Sequence, residues 1–278
     1  MSAVLQSREP ERASAERVDP ALPDPSPSDP APADGIAPDL AAFRTAAAED
    51  LLLLALLHDR ELTRERISGL WEHCYDDFLG LSPCGEAARY ALTLLREGLT
   101  DLPTDLTDAS LDALAVDYAD IYLTYGLRAS PCESVWLDAD NLALQAPMFR
   151  VRAWYRRHGL AVEDWRKRSD DHLVHELRFL AHLLHDEPEP AALADVARFL
   201  DEHPLRWVDQ FAERVATRCA TRFYAGLALL TAAYLEELRD LLAALAGQPR
   251  PPTPAPADAP QATTEADAPY VPGTAPGW

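Results

Sequence analysis

From Asp39 to Gly247 the apolar side chains recur every three to four positions, and no stretch alternates strictly between apolar and polar with turn signals on both sides. That period lines residues up along one face of a helix, so a chain patterned this way folds as helices packed on helices. The fold class is all-α, with about nine to ten helices in a single globular domain. The patterned region is long enough to bury a substantial core, and it carries no repeat of fixed length, which excludes a helical solenoid.

Punctuating residues divide the region. Asp39 is placed to cap a first helix running to about Arg60, whose Leu51–Leu57 run is apolar all round and therefore belongs inside. Thr63 caps a second helix to about Leu79, and a third spans Gly85 to Leu99 before the break at Pro103 and Thr104. The fourth, from about Ser110 to Tyr125, lines Leu111, Leu114, Tyr118, Ile121 and Tyr122 along one aromatic-rich face, with Gly126 placed to end it. Pro131 then enforces an extended approach to Glu133. Helices follow over Leu142 to His158, Asp171 to His185 and Ala191 to His203; Pro204 opens the next, and the last carries Phe223, Leu227, Tyr234 and Leu238 on one stripe. The Asp171 to His185 helix sets His172, His175, Phe179 and His182 opposite its leucines, which predicts a central helix wetted along one side.

Residues 1–38 and 248–278 are rich in Pro, Ala, Asp and Ser without apolar period, so both are expected to be disordered tails. The chain holds 46 Asp and Glu against 25 Lys and Arg, a formal charge of −21. Nucleic acids and anionic membranes are disfavoured as partners and a cationic peptide is favoured, with solubility or a salt-rich cytosol as the equal alternative reading of the charge. Four cysteines without a CxxC pair fit free thiols in a reducing compartment. The first 17 residues lack the apolar run of a secretory signal, and the apolar runs at Leu51–Leu57 and Ala225–Leu235 fall short of the ~20 residues that span a bilayer. A cytoplasmic location is expected. The adjacent Arg156 and Arg157 have no apolar stretch after them and are not a twin-arginine export signal.

Two segments carry the functional information. The first, Asp117 to Trp136, reads DYADIYLTYGLRASPCESVW; the second, Asp170 to Leu177, reads DDHLVHEL. Tyr118, Ile121 and Tyr122, then Pro131, then Glu133, Ser134, Val135 and Trp136 match the first element of the TorD family of chaperones, and Asp171, His172, Leu173, Glu176 and Leu177 match its second, in the same order and separation. The chain resembles that family, which includes TorD, DmsD and NarJ and serves the maturation of molybdenum-containing oxidoreductases. Asp170 stands where the family has Pro, and Cys132 where an aromatic or apolar residue often precedes the Glu. The resemblance implies a cytoplasmic chaperone, not an enzyme, that binds the twin-arginine signal peptide or the apo form of a molybdopterin-dependent catalytic subunit, assists cofactor insertion and prevents premature export. It implies a recognition surface of Tyr118, Tyr122, Pro131, Glu133, Ser134, Trp136, Asp171 and His172. There the aromatic groups would meet the leader's apolar part, while Glu133 and Asp171 meet its arginines. Asp171 would also cap its own helix, with His172 paired to Asp171 or Glu133, so the Asp171–His172 pair shapes the groove rather than the core.

Read from the residues alone, an aromatic stripe at helical spacing is ordinary core, whereas a loop mixing hydroxyl, carboxylate and aromatic groups suits a peptide groove. The rival of another class is an all-α metalloenzyme using the His172 to His185 helix, since His172 and Glu176 share a face, as do His175 and His182. That helix has neither HExxH nor paired Glu-x-x-His elements. Ser134 beside Glu133 lacks a nucleophile elbow, and no phosphate-cradling glycine loop is present. No cofactor is predicted; binding of molybdopterin or a guanine nucleotide stays open, as do a NarJ-like client that is not exported and the choice between monomer and homodimer.

Overall fold

A computed structural model describes residues 37–73, 79–163, 165–186, 191–247 and 249–251. These residues form ten α-helices: α1 (Ala37–Asp59), α2 (Arg64–His73), α3 (Glu86–Thr100), α4 (Asp108–Tyr122), α5 (Glu133–Leu137), α6 (Ala146–Arg157), α7 (Leu173–Asp186), α8 (Ala191–Glu202), α9 (Val208–Arg218) and α10 (Arg222–Ala246). A 3-10 turn at Pro204–Arg206 joins α8 to α9. Among the described residues there is no strand, only one isolated bridge. None of these helices is long and apolar enough to cross a membrane.

Two helices organise the core. The 25-residue α10 packs along α3 and α9 and reaches α8, α1 and α4, while α7 packs against α1 and α8. The α3–α10 crossing is tight because glycine stands on both sides. A Cβ at Gly98 would lie 2.4 Å from the Phe223 backbone nitrogen, and one at Gly226 would lie 2.4 Å from that of Leu95. Asp117 of α4 accepts from the backbone N–H groups of Ala220 at 2.9 Å and Thr221 at 2.7 Å, so its carboxylate closes the N-terminus of α10. Arg239, 2% exposed on α10, forms a two-pronged pair with Asp201 of α8.

Helix boundaries moved where a better cap lay nearby. Asp39 sits inside α1 rather than before it. Thr107, not Ser110, opens α4, its hydroxyl accepting from Ser110 N. That helix stops at Tyr122, short of Gly126, because Tyr125 takes the left-handed conformation at φ 56° and Gly126 is not needed for the turn. Thr63 does cap α2, which ends at His73, and the expected extension to Leu79 enters residues outside the description. The short α5 was read as loop, its five residues being too few to show a period. Pro204 opens the 3-10 turn rather than a full helix. Leu51, Leu54 and Ala55 are buried as expected, but Leu52 and Leu56 are exposed. Most of the face of α7 expected to be wet is dry: His172, His175 and Phe179 are buried, and only His182 is half-buried.

The expected tails at 1–38 and 248–278 lie outside the described residues, apart from the first residues of α1 and residues 249–251. There Arg250 pairs with Glu236 and Asp240 of α10. Cys84, Cys132 and Cys219 are free thiols, and Cys74 lies outside the description.

Candidate functional site

The two motif segments meet in a single antiparallel bridge between Cys132 and His172. Leu173 N donates to the Pro131 carbonyl at 2.8 Å, and Glu133 N to the Asp171 carbonyl at 3.0 Å. Pro131 has no N–H, and Cys132 is extended at φ −122° and ψ 130°, which is the backbone shape such a bridge needs.

Side chains lock the joint crosswise. Asp171 does not cap its own helix; its carboxylate reaches across to accept from Ser134 N at 2.7 Å and from the Ser134 hydroxyl, and so closes the N-terminus of α5. The Ser169 hydroxyl donates to its other oxygen. The cap of α7 is His172 instead, whose Nδ1 accepts from Val174 N at 3.2 Å. That role places the ring proton on Nε2, and burial together with Arg168 pushes the imidazole well below its ordinary value, so it stays neutral. Asp170, in the position where the family has Pro, forms a bidentate pair with Arg152 of α6 at 3.2 and 2.8 Å, and its carbonyl accepts from Tyr155.

Beneath the joint lies a buried acidic pair. Glu133 accepts from His203 Nδ1 at 2.9 Å, and Glu176 from Trp207 Nε1 at 3.3 Å. The second oxygen of each carboxyl has no donor among the described residues. Burial, then the negative Glu133 and Asp171, pushes Glu176 well above the usual carboxylate range. Glu176 is therefore held as the acid, and a proton between the two carboxyls satisfies both otherwise unpartnered oxygens. His175, 2% exposed, finds no partner for either ring nitrogen among the described residues, and burial with Arg168 and Arg178 nearby holds it down to about 3.

The tyrosines of α4 face the end of α1. Tyr118 donates to the Asp59 carbonyl at 2.9 Å, and the Asp59 carboxylate pairs with Arg60, Arg168 and Arg178. Tyr122 meets His58 Nδ1 at 2.6 Å; His58 Nε2 meets Thr231, whose hydroxyl donates to Leu227 O. With the threonine proton spent on Leu227, His58 must donate through Nε2, and Tyr122 donates to Nδ1.

Of the eight residues expected at a recognition surface, Pro131, Glu133, Ser134, Asp171 and His172 come together, but in the interior. Tyr118 and Tyr122 are core residues, and Trp136 is half-buried, donating to Ser130 O under the Arg214 guanidinium at 4.4 Å. In this arrangement neither Glu133 nor Asp171 reaches solvent, so arginine capture by either requires the segments to part. The expectation that Asp171 and His172 lie outside the core is corrected: each closes a helix the core depends on. His172 pairs with neither expected carboxylate; His203 takes Glu133. Tyr125, close enough to Cys132 and Asp171 to feel their charge, is 47% exposed and gives the joint an accessible edge. Sequence reasoning misses Ser169 and Arg152 as site residues and places His203 and Trp207 only as helix positions, with no functional signal at any of the four. Among the described residues no three His, Cys, Asp or Glu converge as metal ligands.

The profile of the family described as nitrate reductase delta subunit matches residues 84–213, a span that holds both motif segments and the whole joint. Over that span the chain is similar to the TorD family. It is 28% identical over 204 residues to the chaperone protein TorD of Vibrio vulnificus strain YJ016, covering 70% of this chain and 94% of that one. It is 33% identical over 141 residues to TorD of Vibrio cholerae O395, covering 48% and 63%. Over 111 residues it is 28% identical to the probable Tat proofreading chaperone DmsD of Haemophilus influenzae Rd, covering 40% and 52%. These relatives are named as chaperones.

Proposed function

We propose that the chain is a chaperone, not an enzyme, and binds the twin-arginine signal peptide, the apo form, or both, of a molybdopterin-dependent catalytic subunit, assisting cofactor insertion and delaying export until it is complete. The observation that carries this reading is the joint itself. Two segments 37 residues apart are clamped by one backbone bridge and the Asp171–Ser134 contact, with Tyr125 exposed at the edge. A single bridge opens at far lower cost than a sheet, so a bound leader can change the joint, and the joint can change affinity for the leader. The Tat proofreading named for the Haemophilus relative, and the net charge of −21 that favours a cationic leader, support the same reading.

The test is a pull-down from the native cytoplasm with mass spectrometry, followed by calorimetric titration of the recovered client's leader. A molybdenum-enzyme subunit whose leader binds tightly, and binds at least about tenfold more weakly when both its arginines become Gln, is the expected result. Recovery of no oxidoreductase would overturn the proposal. A recovered client without a leader would favour the second reading, an assembly chaperone for a non-exported subunit.

A further inference from the structure

Helix α6 carries Arg150, Arg152, Arg156 and Arg157 and no acidic residue. Residues 150–168 hold seven cations against Glu163 and Asp164, in a chain whose formal charge is −21. On α6 the exposed positions Phe149, Arg150, Ala153, Arg156 and Arg157 fall at i, i+1, i+4, i+7 and i+8, which is one stripe. The segment carrying Trp165, Arg166 and Lys167 lies alongside, because Arg152 reaches both aromatic rings: its Cζ is 5.4 Å from the Phe149 ring and 5.0 Å from that of Trp165. Phe149 is 56% and Trp165 38% exposed, and the Arg152–Asp170 pair fixes both against the body of the protein.

Helix polarity explains only part of this. The dipole favours Arg156 and Arg157 in the last turn but not Arg150 in the first half, and Arg166 and Lys167 are off the helix. Among the described residues no carboxylate lies within ion-pair distance of Arg150, Arg156, Arg157 or Arg166, and the acids on the neighbouring α8 are engaged: Asp195 by Arg198, Asp201 by Arg239, Glu202 by Trp154. A face kept only for solubility mixes signs and does not hold two half-exposed aromatic rings in register.

We propose that this face of α6, with residues 165–167, docks a segment of a partner protein that is rich in Asp and Glu and carries apolar side chains between them. The cations meet the carboxylates, and Phe149 and Trp165 take the apolar groups. The overall negative charge does not forbid this, because at physiological salt it is screened beyond about 8 Å and the local cations dominate at contact. It does disfavour nucleic acid, whose longer run of phosphates would extend past the patch onto acidic surface.

The test uses the full chain and a fluorescein-labelled peptide of repeated Glu-Glu-Leu-Phe, read by anisotropy, with Lys-Lys-Leu-Phe as control. The acidic probe should bind and the lysine probe should not. R156E/R166E, two exposed positions without ion partners among the described residues, should weaken the acidic probe at least about tenfold with an unchanged melting temperature and unchanged leader binding. Equal affinity for the variant, or equal binding of the lysine probe, would overturn the proposal. Two further results would also overturn it: tighter binding of a single-stranded oligonucleotide, which would assign the face to nucleic acid, or displacement of the probe at lower concentration by a peptide of residues 252–278, which would assign it to this chain's own acidic segment.

Discussion

Asp171 concentrates more consequence than any other side chain described. It accepts from Ser134 N, from the Ser134 hydroxyl and from Ser169, all in or near the interior. Asp171→Ala leaves these donors without a partner and α5 without a cap, and we expect a loss of about 3 kcal/mol in urea unfolding, roughly a 6–12 °C fall in melting temperature. An unchanged melting point would place the residue outside the core after all. Glu176 acts in the opposite sense at neutral pH. Its folded value is raised above the ordinary one, so its contribution is fully present below about 4.5 and is lost as pH rises. Glu176→Gln keeps the acceptor for Trp207 and has no proton to lose, so the variant should gain on the wild type as pH climbs from 5 to 8. Parallel unfolding curves across that range would show that the pair does not share a proton. The residue types at this site were readable in DYADIYLTYGLRASPCESVW and DDHLVHEL; their partners were not. Nothing in the order of letters says that an aspartate will cap a helix through a serine 37 residues earlier, because that depends on how two segments meet in space.

Among the elements, the α3–α10 pair shows where periodicity informs and where it stops. The apolar stripe of α10 was legible, but the closeness of the crossing depends on two glycines that an interior helix position ordinarily disfavours. Gly98 and Gly226 look like defects in a helix until the facing backbone is present. Gly98→Ala and Gly226→Ala should each cost about 1–3 kcal/mol by forcing the helices apart, measurable by thermal or urea melts. Because both sit at one contact, the double variant should lose less than the sum of the two. Helix ends were less legible than helix existence, since Thr107 and Asp108 compete with Ser110 as starting points and only the realised hydrogen bond decides between them.

For the whole molecule, the decisive quantity is how much polar chemistry the fold has taken inside. His58 and His175 are each held at about 3, chiefly by burial. Both are neutral in the folded state across the range where an unfolded chain takes up protons at about 6.5, so the proton-linked part of their burial is small at pH 7 and grows below it. Stability should therefore fall as pH drops from about 7 toward 3, by several kcal/mol if both contribute, and His175→Leu should remove part of that acid limb while adding about 1 kcal/mol at neutral pH. Urea midpoints at pH 7, 5 and 4 for wild type and variant check both statements. The all-helical class was open to reading because it is written in repetition along the chain, whereas the dry interior of the joint belongs to no one segment. That joint has a consequence for descent. Ser134 and Asp171 hold each other across the bridge, so a change in one removes the reason for the other, and lineages that drift at this pair should drift in both places or in neither.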